Sequence, residues 1–467
     1  MTLTGLEARV TRDLEWLDWG GADWTVPRGD DAYDVVIVGG GQSGLGAAFA
    51  LIGERVNRIL VLDENPAGRE GPWATYARMH TLRTPKHLTG IDMGIPSLTF
   101  RAWYEAQFGA DGWDALGKIP RAMWMDYLRW YRRVLNLPVR NEAKVVAIDP
   151  AGTGLFRVRL ADGEVLTARK VVLATGIQGG GEWHVPAFVG DALPPHLYAH
   201  TSAGIDYAAL AGKRIGILGI GASAFDNANA ALEAGVAEVH VFARREALPR
   251  VNPIRFMERV GMTPRYPALA DADKYRAMRD FLMKNQPPTT DMFEAASAHP
   301  GFALHLGSPW LSVETAGEGA RVTTPRGHFD FNFLVLSTGL LSDPALRPEL
   351  GGVADRIARW ADRYTPPPGQ AHPLLDAHPY LGPAFELLPR RAEDAALLHG
   401  LFAFNYSALA SIGLSAAALS GLKHALPRLA KGVADQLFRD DAGALVDAFI
   451  AYDEPEFAGQ WPRGVAA

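Results

Sequence analysis

The chain of 467 residues contains no cysteine. This absence excludes disulfide bonds, metal sites built from thiolates and any redox chemistry that passes through a cysteine pair. It leaves the compartment open, except that nothing in the sequence requires an oxidising one. We also predict no metal site, because no other ligand motif stands out in the sequence.

The sequence also lacks an excess of positive charge and a long uninterrupted apolar run. Its net charge is −6, so nucleic acid is not an expected partner. The N-terminus carries acids and no apolar core, so no signal peptide is visible and we expect a cytoplasmic protein. The most apolar region, 395–422, contains histidine, asparagine and serines, which favours a buried helix and loop over a membrane span.

What the sequence does contain is one arrangement of elements twice. A short apolar strand at Val35–Val38 runs into glycines and an alanine-rich helix, and Ile215–Leu218 begins the same order. Each helix precedes a second apolar strand, at 59–62 and 239–242, as a parallel strand pair requires. Each copy then continues into a hairpin and a buried strand that ends in Thr-Gly. These strand ends are Thr175 with Gly176 and Thr338 with Gly339.

The repetition predicts an α/β protein with two Rossmann-like dinucleotide-binding domains, the second inserted into the first. We expect a glutathione-reductase-like architecture. An N-terminal extension covers 1–30, the first domain covers 31–180 and 330–467, and the second covers 181–329 with a helical insertion at about 251–310. The insertion is expected to cover the substrate entrance; a homodimer surface is the alternative.

The first glycine motif is Gly39-x-Gly41-x-x-Gly44. Its first glycine permits a tight turn, its second lets a pyrophosphate approach the backbone, and its third allows close packing of helix on strand. The start of the helix, with Gln42 and Ser43, supplies unpaired N–H groups for phosphates.

The second motif starts with Gly219 and Gly221 and has Ala224 at its third position, a variant that the fingerprint tolerates. It continues through Ser223 to Asp226. A single glycine triplet has little specificity, because structural turns produce one too. Here both triplets follow a strand and open a helix, which makes two dinucleotide sites the better interpretation.

Charges at the ends of the second strands distinguish the two sites. Asp63, supported by Glu64, can accept hydrogen bonds from ribose hydroxyls, which suits FAD. Arg244 and Arg245 would attract a 2′-phosphate and bind it through forked hydrogen bonds. We therefore expect NADPH rather than NADH in the second site. The alternative is that the two arginines only solvate a loop.

Together these motifs resemble class B flavin monooxygenases, a superfamily of flavin-containing, N-hydroxylating and Baeyer–Villiger monooxygenases. The resemblance covers roughly 33–250 and 330–425. His200, thirteen residues before Lys213, matches the linker that enters the NADPH domain in this family, and His196 competes for that place. The other common enzymes with paired dinucleotide domains use a cysteine pair, which this chain lacks.

The resemblance implies an enzyme in which NADPH reduces FAD and the flavin captures O₂ as a C4a-(hydro)peroxide. One oxygen atom would then pass to a small-molecule substrate, most readily at nitrogen or sulfur. Three alternatives stay open: Baeyer–Villiger oxidation of a ketone, an NADPH oxidase or reductase that serves another acceptor, and a flavin redox sensor without turnover.

The resemblance also implies roles for single side chains near the flavin. Trp73 matches a tryptophan beside the flavin, with core packing as the alternative. Arg83 and Lys86 are predicted as catalytic groups that contact the flavin, the peroxide or the nicotinamide ribose; a solvated loop is the alternative. Asn405 is the third predicted catalytic residue, with helix capping as its alternative. Val145, His200 and the two Thr-Gly strand ends complete the predicted cofactor-binding set.

Overall fold

The structure, a computed structural model, describes residues 2–29, 31–88, 90–152, 154–259, 261–416 and 418–459. Its helices are α1 (Leu3–Trp16), α2 (Gln42–Gly53), α3 (Phe100–Ala115), α4 (Arg121–Val134), α5 (Ala187–Gly190), α6 (Ala222–Glu233), α7 (Pro253–Arg259), α8 (Met262–Arg265), α9 (Asp271–Lys284), α10 (Thr290–Ser297), α11 (Trp360–Arg363), α12 (Pro373–Asp376), α13 (Ala395–Leu398), α14 (Leu409–Ile412), α15 (Leu419–Asp440) and α16 (Ala442–Ala451). Its strands are β1 (Ala32–Val38), β2 (Ile59–Leu62), β3 (Val139–Arg140), β4 (Val145–Pro150), β5 (Phe156–Leu160), β6 (Val165–Leu173), β7 (Gly181–Trp183), β8 (Tyr198–His200), β9 (Arg214–Leu218), β10 (Glu238–Phe242), β11 (Phe302–His305), β12 (Ser312–Ala316), β13 (Gly319–Thr324), β14 (Gly327–Phe331), β15 (Phe333–Leu336), β16 (Leu340–Ser342) and β17 (Leu401–Phe402).

The first sheet has the strand order β3-β2-β1-β6-β5-β4, and β17 also pairs with β6. Strands β1, β2, β3, β6 and β17 run parallel, whereas β4, β5 and β6 form an antiparallel meander. In the middle of the sheet Val35 lies between Ile59 and Lys170. The centre of β1 is fully buried, as expected for a parallel strand that is covered on both faces.

The second sheet has the order β11-β10-β9-β15-β8, and all its strands run parallel. The antiparallel sheet β12-β13-β14 stands where the second hairpin is predicted, with one strand more. Strands β7 and β16 form a separate short antiparallel ribbon. The parallel strands of the first sheet and the wholly parallel second sheet confirm the α/β class and the two Rossmann-like folds. The bounds of the domains stay predictions.

The insertion differs from the helical segment predicted for 251–310. Helices α7, α8 and α9 occupy its first part, but α10 packs on α6 and residues 302–305 form β11, parallel to β10. The last part of the segment therefore belongs to the second Rossmann unit as its crossover helix and outer strand. Sequence periodicity misses this because the strand has only four residues and directly follows a helical pattern.

Helix α15 packs against α2 and brings the C-terminal part of the chain onto the first sheet. The contact is close because Gly46 has no side chain; a Cβ there would lie 2.7 Å from Leu426 Cδ1. The apolar region 395–422 folds into α13, β17, α14 and the start of α15, largely buried, as predicted. Within the described ranges, no helix combines the length and the apolar character needed to cross a bilayer.

The N-terminal extension contributes α1, whose Leu6 and Val10 are buried against the first domain. A buried ion network joins this end of the chain to the other end. Arg169 pairs with Asp34 at 3.1 Å and with Asp441 at 2.8 Å. Both carboxylates are fully inaccessible to solvent, and each is balanced by a guanidinium, as buried charges must be.

Candidate active site

The first glycine turn connects β1 to α2. Gly39 has a φ of 106° and its N–H donates to the Leu62 carbonyl at 2.7 Å. A Cβ at this position would lie 2.5 Å from the Ala174 carbonyl oxygen, and a Cβ at Gly44 would overlap the carbonyl of Gly39. Both positions therefore accept glycine alone, because the turn, the helix and the end of β6 meet without space for a side chain.

The start of α2 offers backbone donors rather than side chains. Gly41 is the N-cap and has no side-chain capping bond, so the N–H groups of the first turn stay available for an anion. The neighbouring side chains are already engaged. Ser43 Oγ donates to the Ala416 carbonyl at 3.0 Å, and Gln42 Oε1 accepts from Trp124 Nε1 at 3.1 Å.

The acidic end of β2 lies beside this turn. Asp63 is buried; its Oδ2 accepts from the Gly40 N–H at 2.7 Å, and its Oδ1 accepts from the backbone and side chain of Asn65. A carboxylate has about four acceptor positions, so Asp63 keeps capacity for a ribose hydroxyl. Glu64 is exposed and pairs with Lys144 at 3.2 Å. Asp63 is thus the better placed of the two predicted acceptors.

A cavity of about 1020 Å³ opens at the carboxyl ends of β1, β2 and β6, where ligands bind in open α/β sheets. The predicted site residues that line it are Gly39, Gly41, Gln42, Ser43, Asp63, Glu64, Trp73, Arg83, Val145, Thr175, Gly176 and Asn405. Residues separated by more than three hundred positions in the chain therefore meet around one volume. The predicted residues of the second glycine motif lie outside it.

Two buried donors at this cavity have no partner among the described residues: Trp73 Nε1 and Arg83 Nε. An unpaired buried N–H is costly, and at a cavity wall a ligand with acceptor atoms would supply the missing partner. A flavin ring carries carbonyl oxygens and ring nitrogens that accept hydrogen bonds. Together with the glycine turn and the acid of Asp63, these donors fit FAD.

Asn405 is 1% exposed, and its carboxamide is used within the protein. Its Nδ2 lies 3.2 Å from each of three acceptors, the Leu173 carbonyl, Thr175 Oγ1 and the Gly179 carbonyl. Its Oδ1 accepts from the backbone and the hydroxyl of Ser407. The geometry supports the capping alternative: Asn405 joins the end of β6 to the segment that leads into α14.

Arg83 and Lys86 lie on one loop but differ in what they contact. Arg83 lines the cavity and pairs with Asp226 on α6, so it bridges the two Rossmann units. Burial raises the pKa of Asp226, against the lowering effect of the Arg83 charge. Lys86 Nζ donates to the carbonyls of Trp113 and Leu116 and does not line the cavity. Its contacts favour a role in holding the loop over the predicted catalytic role.

The second glycine turn repeats the backbone of the first. Gly219 has a φ of 114°, its N–H donates to the Phe242 carbonyl at 2.9 Å, and a Cβ would overlap the Ser337 carbonyl. Gly221 caps α6 without a side-chain bond. Ala224 is fully buried at the third position, so this helix leaves space for a methyl group where α2 does not.

The predicted phosphate-binding side chains lie beside this second turn, at the end of β10. Arg244 and Ser223 are exposed and free to meet a ligand. Arg245 Nη2 donates to the Met283 carbonyl at 2.7 Å, at the end of α9. Arg245 therefore also stabilises a helix C-terminus, and Arg244 is the guanidinium more available for a 2′-phosphate.

His200 ends β8 next to β15, and its ring stacks on Trp183 with centroids 4.9 Å apart. Burial lowers the pKa of His200 to about 4, so the ring is neutral near pH 7. Its Nδ1 lies 2.8 Å from Ser202 Oγ. Nearby, Thr338 Oγ1 donates to the His184 carbonyl, and Gly339 accepts from the His184 N–H. These contacts tie the interdomain linker together.

Several polar residues of the insertion also line the cavity, and the sequence motifs do not identify them. They are Asn252, Arg255, Glu258, Asn285 and Gln286. Arg255 Nη1 pairs with Glu258 at 3.0 Å and its Nη2 donates to the Arg83 carbonyl at 2.8 Å. Glu258 in turn accepts from Ser420 Oγ at 2.8 Å. The amphipathic pattern of this segment was the one signal in the sequence that could have pointed to these residues. No spacing rule identifies which polar residues of such a pattern meet a ligand.

Two family models match the chain. The model described as FAD-NAD(P)-binding matches residues 36–178, and the model of L-lysine 6-monooxygenase/L-ornithine 5-monooxygenase matches residues 115–287. The first match contains the first glycine turn, at 39–44, and Asp63, both of which border the cavity. The second reaches from α3 through α6 into the insertion, across the junction between the two sheets.

Among curated proteins, the chain is 64% identical over its whole length to the whole of the FAD-dependent urate hydroxylase of Xanthomonas campestris pv. campestris. Among solved structures, it resembles ornithine hydroxylase from Pseudomonas aeruginosa, with a TM-score of 0.67 and 19% identity over 87% of this chain and 100% of that one. An ornithine N-hydroxylase from Kutzneria sp. 744, solved with reduced FAD, NADP⁺ and L-ornithine, gives a TM-score of 0.66 and 17% identity over 87% and 99%. At these identities the two structures show the fold alone.

Proposed function

We propose that this chain hydroxylates urate with NADPH and O₂. The chain is an FAD-dependent enzyme that belongs to the class B flavin monooxygenases, and it shares a family with a urate hydroxylase. The observation that carries this proposal is the 64% identity that extends over both chains from end to end. The matched region spans the insertion, several residues of which line the cavity.

The lining of the cavity supports a polar, planar substrate. The insertion contributes three side-chain carboxamides, those of Asn252, Asn285 and Gln286. It also contributes the Arg255–Glu258 ion pair. Urate is a flat heterocycle whose edge alternates N–H groups and carbonyl oxygens, so it needs donors and acceptors arranged around one plane. Its electron-rich ring can accept the same electrophilic oxygen transfer that the family resemblance implies for nitrogen and sulfur.

The residues of this chain hold and orient the reactants. FAD, when bound, supplies the activation of oxygen. Arg255 is held by Glu258 and by the Arg83 carbonyl, which use two of its five N–H donors and leave three for a substrate carbonyl or anion. The Arg83–Asp226 pair joins the two Rossmann units beside the cavity, where Arg83 is part of the lining.

A second candidate is N-hydroxylation of an amino acid side chain. It rests on the lysine/ornithine monooxygenase model, which matches residues 115–287. Such a substrate carries an α-carboxylate and an α-ammonium group. Among the insertion residues that line the cavity, Glu258 is the carboxylate, and it is already paired with Arg255, so the polar amides there favour the heterocycle.

The test is to incubate the purified FAD-loaded enzyme with NADPH and O₂ and to follow urate consumption, NADPH oxidation and hydrogen peroxide together. We expect urate to accelerate NADPH oxidation and to disappear in nearly equal amounts, with little peroxide. Ornithine and lysine serve as comparison substrates. Acceleration by ornithine but not urate would favour the second candidate. NADPH oxidation that yields only peroxide with every substrate would indicate an oxidase, and no flavin reduction would indicate a sensor.

A further inference from the structure

The last described helix, α16 (Ala442–Ala451), is apolar and yet contains no buried residue. Val446, Phe449 and Ile450 recur at i, i+3 and i+4 and so share one face. Their exposed fractions are 51%, 80% and 74%. Phe438 at the end of α15 and Tyr452 and Phe457 after α16 are more than half exposed as well. We call these six residues the C-terminal patch.

The N-terminal end of α16 is anchored to the body of the protein by buried hydrogen bonds and ion pairs. Asp441, directly before it, is buried; its Oδ1 accepts from Arg169 at 2.8 Å and from Arg28 at 3.1 Å, and its Oδ2 accepts from the Val26 N–H at 3.0 Å. The preceding Asp440 pairs with Lys170 at 2.7 Å. Such a network at one end fixes the direction in which the helix leaves the body.

A helix of this kind is not expected to be stable in water alone. Isolated helices shorter than about 12–15 residues are marginal, and most helical stability comes from the burial of one face. At these exposed fractions, side chains of this size give the C-terminal patch several hundred Å² of exposed apolar surface. This reaches the range of about 300–600 Å² for the largest patch of a monomer, which often marks a contact surface.

The charges around the patch restrict what can cover it. Between 442 and 459 there is no lysine or arginine, while Asp447, Asp453, Glu454 and Glu456 are acidic; Arg439, beside Phe438, is the basic residue next to the patch. Helices that lie on membranes are rich in basic residues, because lipid surfaces are anionic. An acidic segment is repelled by such a surface. A protein partner with an apolar face of similar size is the better match, and every copy of this chain carries one.

We infer that the C-terminal patch is the contact through which two copies of this chain form a symmetric dimer. In a two-fold dimer the same patch lies on both sides of the axis, so the apolar faces of two α16 helices cover each other. The acidic side chains stay at the rim of the contact, where they are solvated. None of the residues of α16 lines the cavity, so each subunit keeps its own site.

The test compares the FAD-loaded wild type with Phe449→Glu/Ile450→Glu by sedimentation equilibrium over a range of concentrations. We expect a dimer for the wild type and a dissociation constant at least about 100-fold weaker for the variant, since two unpaired charges replace two apolar anchors in each subunit. Phe188→Glu, on the exposed side of α5, is the matched control and should leave the dimer intact. A wild type that is monomeric at tens of micromolar, or a variant that stays dimeric, overturns the inference.

A second measurement does not depend on the folding of that variant. Because the chain has no cysteine, Ile450→Cys introduces a single thiol on the proposed contact face, and Ala444→Cys introduces one on the other side of the same helix. Mild oxidation should cross-link the first protein into a covalent dimer several-fold faster than the second. Equal rates overturn the inference. Sedimentation of a monomeric wild type with anionic vesicles would assign the patch to a membrane instead.

Discussion

The two glycine turns of this protein have nearly the same backbone and different surroundings. Gly39 and Gly219 have φ values of 106° and 114°, each donates to the strand that follows its helix, and each lies against the end of a third strand. At the third position of the glycine motif the two copies differ. A side chain at Gly44 would overlap the backbone, whereas the methyl group of Ala224 is accommodated and fully buried. The shape of the turn therefore comes from the Rossmann fold itself, and the fold is shared by both copies.

What distinguishes the copies lies around the turns. The first is enclosed by a cavity of about 1020 Å³ to which the C-terminal segment and the insertion both contribute. Gly221 of the second copy has open space beside it, with no atom within 4 Å of a Cβ placed there. A site lined by several segments of the chain suits a cofactor that stays bound, and a turn with open space beside it suits a coenzyme that enters and leaves in each cycle.

The largest expected effect is on cofactor binding, when a side chain is introduced into one glycine turn at a time. Gly39→Ala forces a Cβ against the Ala174 carbonyl, and we expect a protein that retains no measurable FAD. Gly219→Ala should keep a full complement of FAD but raise the KM for NADPH by roughly 100-fold, because strain and clash together cost about 3 kcal/mol. The flavin-to-protein ratio and the rate of anaerobic flavin reduction measure the two effects. Loss of FAD from both variants would break the comparison.

A second prediction concerns the insertion, which follows the second turn in sequence but lines the cavity of the first. Arg255→Met should raise the KM for urate by about 10-fold to 100-fold, the value of one or two hydrogen bonds to a charged group, while the KM for NADPH changes little. Arg276→Met, on an exposed face of α9, is the control. If FAD content and both KM values change together, Arg255 supports the structure and does not contact the substrate.

A third prediction separates the two arginines beside the second turn. Arg244→Ala should raise the KM for NADPH by roughly 10-fold, through the loss of a charge-assisted contact to the 2′-phosphate, and leave NADH nearly unaffected. Arg245→Ala should affect both coenzymes, because this side chain also holds the end of α9. Arg250→Ala, nearby and exposed, is the control. Equal changes with both coenzymes in Arg244→Ala would contradict a phosphate contact.

The smallest expected effect is on the pH dependence of stability. The pKa of His200 is lowered to about 4 by burial, from a value of 6.5. Between these values the unfolded chain binds the proton and the folded protein does not, so the stabilisation is complete above pH 6.5 and is lost as the pH falls toward 4. His200→Gln should reduce proton uptake on unfolding by at most one proton in this range. A Tm that depends on pH as steeply as in the wild type would contradict this.

The core elements of both Rossmann units could be predicted from the sequence within a few residues. The strand expected at Ile59–Leu62 has those bounds, and the one expected at Val35–Val38 starts three residues earlier. The positions of the glycines followed from spacing alone, because a turn with positive φ is a requirement on a few consecutive residues. The outer strand at 302–305 was missed, since its place depends on pairing with β10.

The side chains of the site were harder to predict. Asn405 and Lys86 are polar residues beside the expected flavin region, which is why the resemblance suggested chemistry for them. In the structure their hydrogen bonds go to the protein's own backbone and hydroxyl groups. Arg255, which does face the cavity, belongs to no motif. No spacing in the sequence distinguishes a polar group that holds a loop from one that meets a ligand.

The sequence by itself determined that this chain forms two nucleotide turns, one beside an acid and one beside a pair of arginines. Those features depend on neighbouring residues and on backbone conformations that only certain residues adopt. Only the tertiary structure decided which side chains surround the first turn, because that arrangement requires contacts between residues hundreds of positions apart. It also decided that α16 leaves the body with its apolar face uncovered, since a helix is buried only where other elements reach it.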